Sequence, residues 1–192
     1  MGKKEAIIDA AATLVYMKGF NNTSVEDVLA ESKAGKGQFY HYFESKEQLG
    51  YAIIDRQFEM WKAQVLDRIF SERHGLEALD VFFKEMTDHF EETRAKGGCP
   101  FGNLAQELSD IHEGFRARLQ KVFEAIINSF QRAYEESKVT GEIKLDVDSR
   151  KAAEFTFSAM QGALLLAKTR KDVQVFKDVC ESLKGYIGSL SR

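Results

Sequence analysis

Lys36, Gly37, Gln38, Tyr40, His41, Tyr42 and Lys46 gather donors, acceptors and positive charge into one short stretch. Gln and His can donate and accept hydrogen bonds on base edges. Tyr hydroxyls and Lys ammonium groups suit phosphate oxygens. At about 100° per residue, Phe39 and Phe43 lie one turn apart and share a face, which must be the buried one. The opposite face carries Gly37, Gln38 and His41, flanked by Tyr40 and Tyr42, with Lys36 at the helix start. Gly37 costs about 1 kcal/mol of helix stability relative to Ala, which makes sense if the backbone must approach another molecule there. The plain alternative is a helix hairpin with a solvated outer face.

Two further helices must hold this one. Thr23 and Glu26 fit a capping box that starts a helix at Ser24, and Val25, Val28 and Leu29 share one of its faces. Ser32-Lys33-Ala34-Gly35 then interrupts the pattern as a turn. Lys36 to Phe43 is the next short helix, and Ser45 with Gln48 forms a second box opening a long helix at Lys46. The helix dipole and the Lys46 ammonium together suit a phosphate there. Two short helices in a tight turn outline a helix-turn-helix DNA reader. Before them, Lys3 to Lys18 carries Ile7, Ala10, Ala11, Leu14 and Val15 at helical spacing and ends at Gly19.

The stretch from about residue 3 to 55 resembles the TetR family of bacterial transcriptional regulators. The residues carrying the likeness are Ile7, Ala10, Ala11, Leu14, Gly19-Phe20, Thr23-Ser24, Lys36-Gly37, Phe39-Tyr40-His41-Tyr42-Phe43 and Ser45-Lys46. There are two departures: Lys33 stands where the family usually has Gly in the turn, and Gly35 where it usually has a Ser or Thr cap. The resemblance implies phosphate contacts at Tyr40, Tyr42 and Lys46. With the residues above and Ser24, this gives an expected DNA-binding set of Ser24, Lys36, Gly37, Gln38, Tyr40, His41, Tyr42 and Lys46.

The net charge of -3 argues on its face against a nucleic-acid partner. Locally the sign reverses: between Lys33 and Lys46 three Lys face one Glu. A composition 44% hydrophobic and 30% charged excludes disorder, and a single Pro favours helix throughout. No signal peptide and no membrane-length apolar run is legible, so the expected location is the cytoplasm, with Cys99 and Cys180 reduced. Cys99 beside Pro100 is read as a small apolar packing group, a redox sensor being the sharper alternative. Cys99, Glu107 and His112 lack any zinc-ligand spacing, and His74 and His89 repeat none. No catalytic residue, metal or cofactor is expected.

Beyond the head, apolar residues recur at three- and four-residue spacing. They mark helices over about Lys46–Arg73, Leu76–Thr93, a short segment with Phe101, Leu104, Ala105 and Leu108, a long one from Phe115 to Tyr134, Asp148–Thr169 and Asp172–Leu190. Trp61, Val65 and Ile69 lie too far along the first of these to reach the head and should enter a second core. The Asp148–Thr169 helix is apolar nearly all round, so a partner chain should cover part of it. Gly162 and Ala163 allow close approach. The resemblance points the same way, implying dimerisation through the last two helices, with Gly162, Leu164, Leu165, Leu166, Phe176 and Leu183 expected at that interface.

The chain holds 15 Phe, more than aliphatic packing requires. Met86, Phe90, Phe101, Phe123, Ile127, Phe157 and Met160 can line an apolar pocket between helices, with a plain core as the competing reading. The effector pocket usual in TetR-like proteins favours the pocket, and Asn103, Gln106 or Gln161 would orient the molecule.

The expected architecture is all-α: a three-helix head with a helix-turn-helix (residues 1–50) and a larger helical bundle for ligand binding and dimerisation (residues 51–192). The expected function is a TetR-like transcriptional regulator, a repressor that binds a near-palindromic double-stranded operator as a homodimer and is released by a small apolar effector. The competing readings are an all-α carrier or enzyme for a hydrophobic ligand, and an activator.

Overall fold

The computed structural model describes Gly2–Ser191; Met1 and Arg192, the outer ends of the two expected domains, lie outside the described residues. The described residues are helices and turns, with one isolated β-bridge between Ile143 and Ser191. They fall into two compact units.

The first unit runs to Met60 and also takes in Pro100–Val122, so it is wider than the 1–50 head expected. It holds α1 (Lys3–Lys18), α2 (Val25–Ser32), α3 (Lys36–Tyr42), α4 (Lys46–Trp61) up to Met60, α7 (Pro100–Leu108) and the start of α8 (Glu113–Thr140). Ile7, Ile8, Ala11 and Val15 form the buried stripe of α1, while Ala10 and Leu14 are half-buried. Phe20 and Phe115 meet edge to face at 4.9 Å. A Cβ on Gly50 would lie 2.5 Å from the Phe115 ring and 2.6 Å from the Phe20 ring. Gly50 is therefore what lets both rings lie against α4, and Phe115 is why the α8 start belongs to this unit.

The helix cap of α2 falls one residue later than expected. Ser24, not Thr23, is the N-cap: Ser24 Oγ accepts from the Asp27 amide, and the Asp27 carboxylate accepts from the Ser24 amide. Thr23 is buried, and its hydroxyl donates backwards to the Gly19 carbonyl at 2.7 Å. Thr23 thus turns into the end of α1, and Ser24 takes the cap. Ser45 caps α4 as expected, accepting from the Gln48 amide, and Asp148 caps α9 by accepting from the Lys151 amide.

The second unit comprises Trp61–Cys99 and the chain from Phe123 onward. It holds a π-helical turn (Lys62–Asp67), α5 (Arg68–Glu72), α6 (Gly75–Glu92), the rest of α8, α9 (Ser149–Arg170) and α10 (Gln174–Ser189). The helical residues run from Lys46 to Glu72, close to the Lys46–Arg73 expected, but Lys62–Asp67 is a π turn that periodicity did not show. Lys62 pairs with Asp67, five residues on, at 2.6 Å, the span of an i→i+5 turn. The extra residue per turn slips the inward face by one position. Leu66, Ile69 and Phe70 are buried, while Trp61 and Val65 are only half-buried. Phe82 packs on both Phe130 and Phe70, with ring centres 5.1 and 6.1 Å apart. The buried Tyr134 hydroxyl meets Thr156 Oγ1 at 2.8 Å, and burial pushes its pKa up to about 12.

Candidate nucleic-acid interface

The anchor of the reading helix is Phe39, fully buried, with Phe43 beside it at 5.6 Å between ring centres. These two rings hold α3 by one face and leave Lys36, Gly37, Gln38, Tyr40, His41 and Tyr42 exposed on the others. Tyr40 is 51% exposed, and its ring packs edge-on against Phe39. The His41 and Tyr42 rings meet at 4.9 Å. The helix is entered through Lys33, which takes a left-handed conformation at φ 52 and ψ 36. Gly35 offers no side-chain cap, and Gln38 compensates: its Oε1 accepts from the Gly35 amide at 3.1 Å. That bond leaves the Gln38 amide N–H groups as its remaining donors. A Cβ at Gly37 would meet nothing within 4 Å, so the backbone there is open to a close approach.

Lys46 starts α4 beside this surface. Its ammonium donates to the Asn21 carbonyl at 3.4 Å and lies 4.5 Å from the Phe20 ring centre. Ser24 is committed to Asp27, whose carboxyl the Lys18 ammonium and the Ser24 amide hold well below the usual carboxylate range. One polar residue here has a role that the sequence did not show. The Glu107 carboxylate accepts from the Phe20 amide at 3.0 Å and from the Asn21 amide at 2.7 Å. Its signal was available: a carboxylate one residue from the end of α7 opposes the helix dipole. Among the described residues, no group of three or more His, Cys, Asp or Glu could hold a metal ion.

The sequence model of "Bacterial regulatory proteins, tetR family" matches residues 7–53, and that of "Tetracyclin repressor-like, C-terminal domain" matches residues 75–183. An HTH-type transcriptional regulator of Lactococcus lactis, named for its place in the lacX 3′ region, is 36% identical over 187 residues, covering 94% of this chain and 91% of that one. The chain belongs to the TetR family. This TetR-family transcriptional regulator is also similar to the repressor DhaR of Mycobacterium sp., with 28% identity over 88% of this chain and 84% of that one. Among solved structures, a regulatory protein TetR from Rhodobacter sphaeroides superimposes with a TM-score of 0.82 at 28% identity, covering 96% of each chain.

The residues expected at an effector lie in both units of the regulator. Phe101 belongs to the first unit, the other six to the second. Within the second, Phe90, Ile127, Phe157 and Met160 are buried, and Met86 and Phe123 are half-buried. The Phe123 and Phe157 rings meet at 5.3 Å, while Phe90 stacks on Phe176 at 5.2 Å. Gln161 donates to the Cys99 sulfur at 3.6 Å.

The residues expected at the dimer interface separate into two groups. Gly162 is exposed, and Leu165 and Leu166 are 45% and 44% exposed on α9. Phe155, also on α9, is 50% exposed and packs against Tyr186 of α10. Leu164, Phe176 and Leu183 are buried within their own chain instead. Enclosed by their own core, these three offer a partner little surface. Ala163 is buried likewise. Among the described residues, no helix is long and apolar enough to cross a membrane.

Proposed function

We propose that this regulator represses transcription by binding a near-palindromic DNA operator as a homodimer, and that a small apolar effector releases it. The observation that carries the reading is α3, clamped by Phe39 and Phe43, with Lys36, Gly37, Gln38, Tyr40, His41 and Tyr42 turned to solvent. Gln38 and His41 read base edges, Lys36 and Gly37 lie at the groove edge, and Tyr40, Tyr42 and Lys46 hold phosphates. Ser24 supports the set by fixing the start of α2. Residues 1–50 form the reading head, and residues 51–192 supply effector binding and dimerisation. The repressor sign is supported by the name of the mycobacterial relative DhaR.

The exposed apolar strip of Phe155, Leu165 and Leu166 beside the open Gly162 supports self-association through α9 and α10. The aromatic and Met side chains of the second unit support an apolar effector, with Asn103, Gln106 or Gln161 available to orient it. Selection of bound duplexes from a random-sequence pool tests the whole. A near-palindrome of two equal half-sites is the expected result. Retention of DNA without sequence preference would favour an all-α carrier with a basic face.

A further inference from the structure

Glu107 spans two peptide N–H groups of another segment, Phe20 and Asn21, at 3.0 and 2.7 Å. Both bonds are charge-assisted, and such bonds are the strong ones. The carboxylate does so near the end of α7, where the helix dipole disfavours it. Nor is the turn it grips an idle loop. Gly19 ends α1 at φ 89, and a Cβ there would come within 3.2 Å of the Glu107 carboxylate. Glycine therefore supplies both the backbone angle and the room for the carboxylate. Thr23 ties the same turn through its hydroxyl to the Gly19 carbonyl. The Lys46 ammonium rests on this turn too, bonded to the Asn21 carbonyl and lying over the Phe20 ring. One turn thus carries the Glu107 carboxylate on its amides and the Lys46 ammonium on its carbonyl and ring.

We infer that Glu107 is a positioning residue for DNA binding: by holding the Phe20–Asn21 peptides, it fixes where Lys46 presents its charge to the phosphate backbone. The inference rests on the DNA-reading role proposed above. Glu107→Gln keeps the size but sets an NH2 group against a peptide N–H, removing one of the two bonds. Glu107→Asp keeps the charge but shortens the reach by one methylene.

The test uses the full chain and a duplex selected by the wild-type protein from a random-sequence pool. Affinity is measured across salt concentrations for wild type, Glu107→Gln, Lys46→Ala and the double variant, with helicity and thermal midpoint recorded alongside. Glu107→Gln is expected to weaken the selected duplex roughly tenfold, the scale of one hydrogen bond to a charged group. Its salt slope should fall as that of Lys46→Ala does. The double variant should bind no worse than Lys46→Ala alone, because both changes remove the same phosphate contact. If Glu107→Gln does not fold, Glu107→Asp carries the same cycle. Wild-type affinity and salt slope in the Glu107 variant would overturn the inference, as would losses that add in full. Failure of the wild type to select any sequence would instead overturn the DNA-reading role, and this inference with it.

Discussion

At the residue scale, Gln38 and Lys46 should separate cleanly by what they read. The Gln38 Oε1 is held by the Gly35 amide, so its N–H groups should meet base-edge acceptors. Gln38→Ala is expected to cost about 1–3 kcal/mol at one base pair and relax preference there. Lys46→Ala should weaken all duplexes about equally and flatten the salt dependence. Binding to single-substitution variants of the selected duplex distinguishes the two, and uniform loss on Gln38→Ala would remove it from the base-reading set. Lys33 makes a separate point about stability. Its φ of 52 is left-handed, a region that costs a non-glycine residue about 1–2 kcal/mol. Lys33→Gly should therefore raise stability in urea unfolding by up to about 1 kcal/mol, once the greater entropy of the unfolded glycine is offset. An unchanged or lower midpoint would show that no strain resides there.

At the scale of elements, α2 is secured by the reciprocal bonds of Ser24 and Asp27 and by Lys18 on the Asp27 carboxylate. Ser24→Ala is expected to cost about 1 kcal/mol. The Lys18 hydrogen bond and the bonds from Ser24 lower the Asp27 pKa in the folded state. A carboxyl depressed on folding contributes stability that is present above its unfolded pKa and lost as pH falls through the folded one. Asp27→Asn should therefore be less stable than wild type near neutrality and converge with it in acid, as followed by thermal unfolding across pH. A difference that grew in acid would contradict the sign. The sequence placed this cap one residue early because Thr23-x-x-Glu26 matches the capping pattern. What overrode the pattern was burial of Thr23, a fact of packing.

For the whole molecule, the α9 face divides surface from core within consecutive residues. Leu165 and Leu166 are half exposed, while Leu164 is buried. Replacing Leu165 and Leu166 together by Arg should yield a folded monomer of weakened operator affinity, seen by sedimentation and helicity. Leu164→Arg should instead destabilise the chain itself, because it buries an unpaired charge. A monomer with full operator affinity would sink the dimer proposal. The effector proposal carries its own linkage test. If an effector weakens operator binding, the operator must weaken effector binding by the same factor. Equal effector affinity with and without the selected duplex would mean that the molecule binds without regulating.

The local order of Phe39, Phe43 and the polar face opposite them was set by the sequence alone, because helical periodicity fixes which side chains share a face. The break at Gly19 and the Ser45 cap were legible for the same reason: each depends on residues within one turn. Only the tertiary structure decided that Thr23 turns inward, that the helix after Trp61 widens into a π turn, and that Leu164, Phe176 and Leu183 belong to their own core. It alone brought Glu107 to the amides of Phe20 and Asn21, more than eighty positions away in the chain. A pattern read along the chain carries no information on which distant backbone will fill the space beside a side chain. That is settled by packing, which closes only when every element is in place.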